Sequence, residues 1–246
     1  MSSRRHAYST VPEEPRPDEP RHASGIVPRA VVRNEALSYH LLRPKSAGPA
    51  DIPLLSEAYR CWSEVWKQTL DELDDVNHVP SDDFSRQDQI GALFHEWECI
   101  GMTSYRWVDL SNPIFKDDSY FSVWPRECVN AVCAAGTRVC IGSNLTVAAP
   151  WRHANGASVK ELLLALAVDR FLQSDADAMA GTMRNDRGMN ALGYRLGFHP
   201  LAHDVIHHGV TVDLVAFYRH SDKRDPLDAD SEALVQRLLP TQALPL

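Results

Sequence analysis

The sequence has no apolar run long enough to cross a bilayer. Its longest runs, such as Leu162 to Val168, fall far short of the roughly 20 residues that a spanning helix needs. No basic segment followed by an apolar segment opens the chain, so the sequence gives no sign of a secretion signal. We therefore expect a cytoplasmic protein without a transmembrane segment.

Cysteine patterns typical of disulfide frameworks and metal sites are also missing. The five cysteines are odd in number, no pair has CxxC spacing, and no Cys/His set has the spacing of zinc ligands. The adjacent His207 and His208 would point to opposite faces of a strand and could not easily share a metal. We expect reduced cysteines and no bound metal.

Positively charged residues are outnumbered: the sequence has 25 Lys and Arg residues and 33 Asp and Glu residues, which gives a net charge of -8. A general nucleic-acid-binding protein needs a basic face, so the net charge argues against this class. An acidic chain that binds an anionic ligand must concentrate its few cations in one place. The position of each arginine is therefore informative.

The chain divides into three parts by composition. Residues 1–36 are rich in proline and charge and poor in large apolar residues, which predicts a disordered tail. Residues 37–220 have the pattern of one folded domain, and residues 221–246 form a C-terminal tail or a short helix. Apolar content of 44% is ordinary for a globular protein.

Periodicity within the domain alternates between strand and helix. Spacings of three and four predict helices, and alternation or β-branched enrichment predicts strands. Predicted strands cover 37–42, 138–148, 177–183 and 210–218, a strand pair covers 90–110 with Gly101 near its middle, and predicted helices cover 52–73, 124–135, 159–172 and 187–196. This order predicts an α/β or α+β sheet with helices on its faces.

The loop between the strand at 138–148 and the buried helix at 159–172 is the most informative segment. It contains Arg152, and unpaired N–H groups at the start of a helix bind phosphate. Asn155 and Gly156 can adopt positive φ, and the small Ala157 and Ser158 allow close approach. A plain strand-to-helix loop with Ser158 as an N-cap is the competing interpretation.

A second motif follows at Arg184 to Phe198, and the two motifs together resemble the GNAT acyltransferase superfamily. The family motif of its phosphate-binding loop is matched by Val147, Pro150, Arg152, Gly156 and Ala157. The ending of its next helix is matched by Asn185, Leu196, Gly197 and Phe198. The resemblance implies a GNAT-type mixed, mostly antiparallel central sheet with helices on both faces.

Upstream residues resemble one branch of that superfamily, the N-acyl amino acid synthases and acyl-homoserine-lactone synthases. The similar segments are Tyr39 to Arg43, the long helix, Asp82 to Asp88, Phe94 and Gly101. This resemblance implies transfer of an acyl group from acyl-CoA, or from the phosphopantetheine of acyl carrier protein, to the amine of an amino acid-like small molecule. The longer loop slightly favours a carrier protein, which presents only one phosphate.

The resemblance also implies site residues. Backbone N–H groups at Leu145, Thr146 and Val147 would hold the pantetheine and the thioester. The phosphate loop would use Arg152, Asn155, Gly156, Ala157 and Ser158, and Asn185 would contribute from the second motif. Candidate catalytic residues are Glu96 and Glu98, which share one face if both are on a strand, together with Asn144 and Tyr194.

Departures from the family pattern define an atypical member. The tyrosine that commonly protonates the leaving thiolate is replaced by Gly193, and Tyr194 lies about 100° further round the helix. The Glu and Arg of the homoserine-lactone branch are replaced by Ile141 and Asn144, with only Ser143 retained.

Three functions stay open from the sequence. The first is a long-chain N-acyltransferase, the second a non-catalytic acyl-thioester binding module, and the third a short-chain acetyltransferase. Five tryptophans are predicted to lie in the core, or to line an apolar tunnel for the acyl chain: Trp62, Trp66, Trp97, Trp107 and Trp124.

Overall fold

The computed structural model describes residues 30–73 and 81–239. Seven strands are found there: β1 Leu37–Leu42, β2 Gln89–His95, β3 Glu98–Asp109, β4 Arg138–Val147, β5 Ala178–Arg184, β6 His199–His207 and β7 Val210–Tyr218. The α-helices of the same residues are α1 Ile52–Glu72, α2 Asp82–Ser85, α3 Pro113–Lys116, α4 Arg126–Cys133, α5 Val159–Leu172, α6 Met189–Arg195 and α7 Ala229–Leu238.

The strands form one sheet in the order β1-β2-β3-β4-β5-β7-β6. Every neighbouring pair is antiparallel except β4 and β5, which run parallel. A parallel connection needs a crossover, and α5 supplies it between β4 and β5. The predicted mixed, mostly antiparallel sheet is confirmed.

Helices cover both faces of this sheet. Leu162, Leu163 and Leu166 of α5 are buried against Leu93 and Ile100 on one face. The other face of the same strands is covered by α1, whose buried side chains are Ala58, Cys61 and Trp62. Alternation along a strand sends neighbouring residues to opposite faces, so β2 and β3 contribute to two cores. The predicted covering of both faces is confirmed.

The β2–β3 hairpin turns at a different place from the one that the sequence indicated. Gly101 lies inside β3, where a Cβ atom would come within 2.7 Å of the Leu163 side chain and of the Thr146 carbonyl oxygen. The glycine is therefore needed for close packing, and the turn is at Glu96 and Trp97. Trp97 is 86% exposed, so its assignment to the core was wrong.

The segments flanking the domain are partly ordered against it. Residues 30–36, the end of the predicted tail, run beside the loop after β4, where Val31 forms a β-bridge with Asn155. Residues 1–29 lie outside the described residues. The C-terminal segment contains α7, whose Leu234, Val235 and Leu238 are buried with α5.

Two general findings bear on function. Among the described helices, none combines the length and the apolar character needed to cross a membrane. Over residues 30–73 and 81–239, no group of three or more His, Cys, Asp or Glu side chains is arranged to hold a metal ion.

Candidate active site between β4 and β5

The site begins where β4 and β5 separate. The two strands pair over only four residues each, from Val139 opposite Ala178 to Gly142 opposite Gly181. Beyond that point, residues Ser143 to Val147 of β4 have no residue of β5 beside them. A gap in the middle of the sheet follows, bordered by backbone groups that a closed sheet would use for pairing.

A β-bulge at Asn144 marks the start of the gap. Met102 of β3 pairs with Thr146 and Ser104 pairs with Ser143, so β4 has one extra residue over this stretch. Asn144 has a φ of 55°, in the left-handed region. Its Nδ2 donates to Ser104 Oγ at 3.2 Å, and Ser104 Oγ donates in turn to the Ser143 carbonyl oxygen at 3.1 Å.

A cavity of about 410 Å³ occupies the gap. It is lined from one face of the sheet by α5, through Leu164 and Ala167, and from the other face by α1, through Val65, Trp66 and Thr69. The cavity therefore reaches both faces. Its size and largely apolar lining are typical of a small-molecule site.

Basic side chains gather around this cavity, although the chain as a whole is acidic. The lining includes Arg152, His153, Lys160, Arg184 and Arg187. Arg184 pairs with Asp186 and Arg187 pairs with Glu72, which connects the cavity rim to α1. No described carboxylate pairs with Arg152 or Lys160, and the Arg152 Nε donates to the Val147 carbonyl oxygen at 3.2 Å. These two cations are available to an anionic ligand.

The loop before α5 is arranged differently from the sequence-based prediction. Gly156 has a φ of 99°, as predicted, but Asn155 does not adopt positive φ. Instead its N–H donates to the Ala30 carbonyl oxygen, and its own carbonyl accepts from the Val32 N–H, both at 2.9 Å. Ser158 stands before α5 without a capping hydrogen bond from its side chain.

The phosphate-loop residues do not all face the same space. Arg152 lines the β4–β5 cavity, whereas Gly156, Ala157 and Ser158 line a second depression of about 630 Å³. Val32 and Glu161 also border that depression. The structure thus brings Arg152 to the cavity together with Leu145 and Val147. It places the small residues of the loop beside the N-terminal segment.

The two glutamates considered as bases lie away from the cavity. Glu96 has a φ of 57° in the hairpin turn and pairs with Arg33. Glu98 begins β3 and accepts a hydrogen bond from Trp151 Nε1 at 3.0 Å. The assumption that the two residues share one face of a strand was wrong, because the turn falls between the strands at Glu96 and Trp97.

Tyr194 and Asn185 meet at a buried carboxylate, Asp213 of β7. Tyr194 donates to Asp213 Oδ2, and the side-chain amides of Asn185 and Asn190 donate to the carboxylate at 3.0 Å. Burial alone raises the pKa of Asp213, but these hydrogen bonds and one from the Asp204 N–H outweigh it and leave the pKa well below its usual range. Burial and this carboxylate together raise the pKa of Tyr194.

Several lining residues were not singled out from the sequence as part of the site. Trp66 was assigned to the core or to a tunnel, and its Nε1 donates to Thr146 Oγ1 at 3.2 Å, next to the bulge. Thr69, Thr103 and Met183 also line the cavity. Their signal was weak, because helical periodicity marks Trp66 only as apolar and gives Thr69 no distinction from a surface residue.

Solved structures share this topology, although sequence comparisons find no match. No protein-family profile matches the sequence, and no curated protein matches it either. Among solved structures, FeeM, an N-acyl amino acid synthase from uncultured soil microbes, is 13% identical, with 75% of this chain and 91% of FeeM covered and a TM-score of 0.53.

Two further structures are similar to the same degree. BjaI, a CoA-dependent acyl-homoserine lactone synthase solved with SAM and isopentyl-CoA, is 13% identical over 83% of this chain and 91% of BjaI, with a TM-score of 0.51. A mosquito arylalkylamine N-acetyltransferase-like protein is 11% identical over 74% of this chain and 99% of its own, with a TM-score of 0.54. The chain has the GNAT fold, with its cavity in the gap between β4 and β5.

Proposed function

We propose that the protein is an N-acyltransferase that moves a long-chain acyl group from a phosphopantetheine thioester to the amine of an amino acid-like small molecule. The observation that carries the proposal is the gap between β4 and β5, which starts at the Asn144 bulge and opens to both faces of the sheet. One face can admit the thioester and the other the amine, so the two reactants meet without covalent attachment to the protein.

The donor is held by backbone and by charge. Backbone groups from Leu145 to Val147 border the gap and hydrogen-bond the pantetheine amides and the thioester carbonyl. Arg152 and Lys160, which have no described carboxylate partners, bind the phosphate at the α5 end of the cavity. Either acyl-CoA or acyl carrier protein can present such a group.

The amine approaches from the α1 side. There Thr69, Thr103 and Ser143 border the cavity, and Asn144 and Ser104 form a hydrogen-bonded pair beside the expected position of the thioester. The amine attacks the thioester carbon, the C–S bond breaks, and the thiolate leaves. No described carboxylate lines the cavity, so the proton of the amine passes to water or to His153.

One observation favours a second function, a non-catalytic module that binds acyl thioesters. The position that would place a tyrosine at the leaving sulfur is Gly193, and Tyr194 is engaged by Asp213. A third function, short-chain acetyl transfer, differs from the first only in the chain length that the cavity accepts.

The test is a matrix of donors and acceptors. The pure protein is incubated with acetyl-CoA, decanoyl-CoA or decanoyl acyl carrier protein and a pool of amino acids. Thiol release and acylated products are then measured. We expect thiol release that depends on the acceptor when the donor is decanoyl-CoA or decanoyl acyl carrier protein. Preference for acetyl-CoA would support the third function.

Donor binding without turnover supports the binding module. Failure of every donor to bind a protein that remains folded contradicts both the transferase and the module. Calorimetric titration with each donor separates these outcomes, because it detects binding independently of chemistry.

A further inference from the structure

Arg170 is a buried charge without a carboxylate partner. It lies near the C-terminal end of α5 and is 1% exposed. Its guanidinium lies 5.1 Å from the centroid of the Trp107 ring, and no described Asp or Glu forms an ion pair with it. Burying an unpaired charge costs several kcal/mol in typical proteins, so the structure around Arg170 needs a compensating group.

The polar atoms around this guanidinium are mostly donors. Arg170 Nε donates to Gln89 Oε1 at 2.9 Å, which uses the acceptor of that amide. Arg170 Nη1 and Nη2 and Gln89 Nε2 are all buried and have no acceptor. Gln89 is itself 2% exposed. Three unpaired nitrogen donors from α5 and β2 are therefore held close together.

Two tyrosines add a further donor nearby, because Tyr105 of β3 is the strand partner of Gln89. The hydroxyl oxygens of Tyr39 and Tyr105 are 2.9 Å apart, and both side chains are buried. Burial raises the pKa of each, and the charge of Arg170 opposes that shift only in part, so both hydroxyls keep their protons. One hydroxyl hydrogen forms the bond between them, and the other is left without an acceptor among these residues.

A group that accepts hydrogen bonds and donates none fits these unpaired donors better than water does. A water molecule would satisfy two donors but would bring two hydrogens that need acceptors of their own. An anion accepts from every donor and also compensates the charge of Arg170. A metal cation does not fit this site, because the guanidinium would repel it.

We propose that Arg170, together with Gln89 and the Tyr39–Tyr105 pair, forms a buried site for a small monovalent anion, with chloride as the natural occupant. The site lies in the core between α5 and strands β1, β2 and β3, and none of its residues lines the β4–β5 cavity. It stabilises the fold and is separate from the proposed transfer reaction.

The direct test is crystallographic and needs no variant. Crystals of the full chain are grown or soaked in sodium bromide, and anomalous scattering is recorded at the bromine absorption edge. The proposal expects an anomalous peak in contact with the Arg170 guanidinium. Well-ordered density for water alone at this position, or none, overturns it.

A solution test measures the same site through stability. The melting temperature is followed as sodium gluconate is replaced by sodium chloride at constant ionic strength. At a chloride concentration of about 100 times the dissociation constant, the melting temperature of the wild type should rise by on the order of 5 °C. Arg170→Met removes the charge while keeping a long side chain, and should abolish the chloride-dependent gain.

Arg106→Met is the matched control. Arg106 is an arginine of β3 whose charge is already paired with Asp118, so this variant should be less stable but keep the full response to chloride. An equal response in wild type and Arg170→Met contradicts the proposal. If Arg170→Met does not fold, Gln89→Leu, which removes one donor, should reduce the response.

Discussion

Gly193 of α6 packs against Met183 of β5 so closely that a Cβ atom at position 193 would lie 2.3 Å from the Met183 Sδ. Met183 also lines the β4–β5 cavity. The end of the Met183 side chain therefore occupies the space into which a side chain at position 193 would extend. Any side chain added at 193 must displace the end of Met183, and the cavity is one space into which it can move.

This contact predicts a selective effect of Gly193→Ala on the donor. We expect weaker binding of decanoyl-CoA and little change for acetyl-CoA, because the displaced methionine narrows the space for a long chain. Isothermal titration of both donors measures this. Adding Met183→Ala should restore decanoyl binding, whereas an equal loss for both donors would contradict the explanation.

Arg152→Ala should weaken donor binding without changing the fold. A charge-assisted hydrogen bond to phosphate contributes about 1–3 kcal/mol, so we expect the dissociation constant to rise about 5- to 150-fold. Arg126→Ala is the matched control, because Arg126 is exposed on α4 and lines a different pocket. An unchanged affinity in Arg152→Ala would show that the phosphate binds elsewhere.

The bulge at Asn144 predicts a difference between two substitutions. Glycine adopts the observed φ of 55° without strain, whereas a β-branched residue there costs on the order of 1–3 kcal/mol. Both substitutions remove the hydrogen bond to Ser104, so the difference between them measures the cost of the backbone conformation at position 144. We expect Asn144→Val to have a lower free energy of unfolding in urea than Asn144→Gly, and equal values would argue against the strained bulge.

The carboxylate of Asp213 predicts a pH-dependent stability difference. Its hydrogen bonds lower its pKa in the folded state, so its ionised form stabilises the fold above the unfolded pKa of 3.8. Asp213→Asn should reduce the free energy of unfolding at pH 7 by about 1–3 kcal/mol. The difference should shrink as the pH falls below about 4, as linkage requires.

Denaturant titrations from pH 3 to pH 7 check this, with Asp230→Asn as the control. Asp230 is exposed in the first turn of α7. A stability difference between wild type and Asp213→Asn that is constant over this pH range would contradict the assigned cause.

Much of the fold could be predicted from sequence because its signals are local. The buried helix α5 and the strands β1 and β7 have their predicted bounds. Strand β6 was missed, because its exposed side chains and Pro200 give neither the alternation nor the apolar content of a typical strand. The hairpin turn was misplaced because Gly101 is required by a contact with α5 that is distant in sequence.

The site was harder to predict, because it depends on pairing between distant segments. Arg152, which lines the cavity, was predicted from the loop motif, since its position after a strand and before a helix is a local feature. The partners that engage Tyr194 and Asn185 could not be read from spacing, because Asp213 lies on a strand that follows them in the chain. The hydrogen bonds of Asn155 to Ala30 and Val32 likewise join segments more than 100 residues apart.

The last residue pair before the gap is Gly142 opposite Gly181, so neither strand carries a side chain where the two diverge. The two halves of the sheet, β1 to β4 and β5 to β7, are joined through only four residue pairs at one end. A small rotation of one half against the other about this junction changes the width of the β4–β5 gap more at its open end than at the glycines. The gap can therefore admit bound groups of different thickness while every hydrogen bond within each half of the sheet is kept.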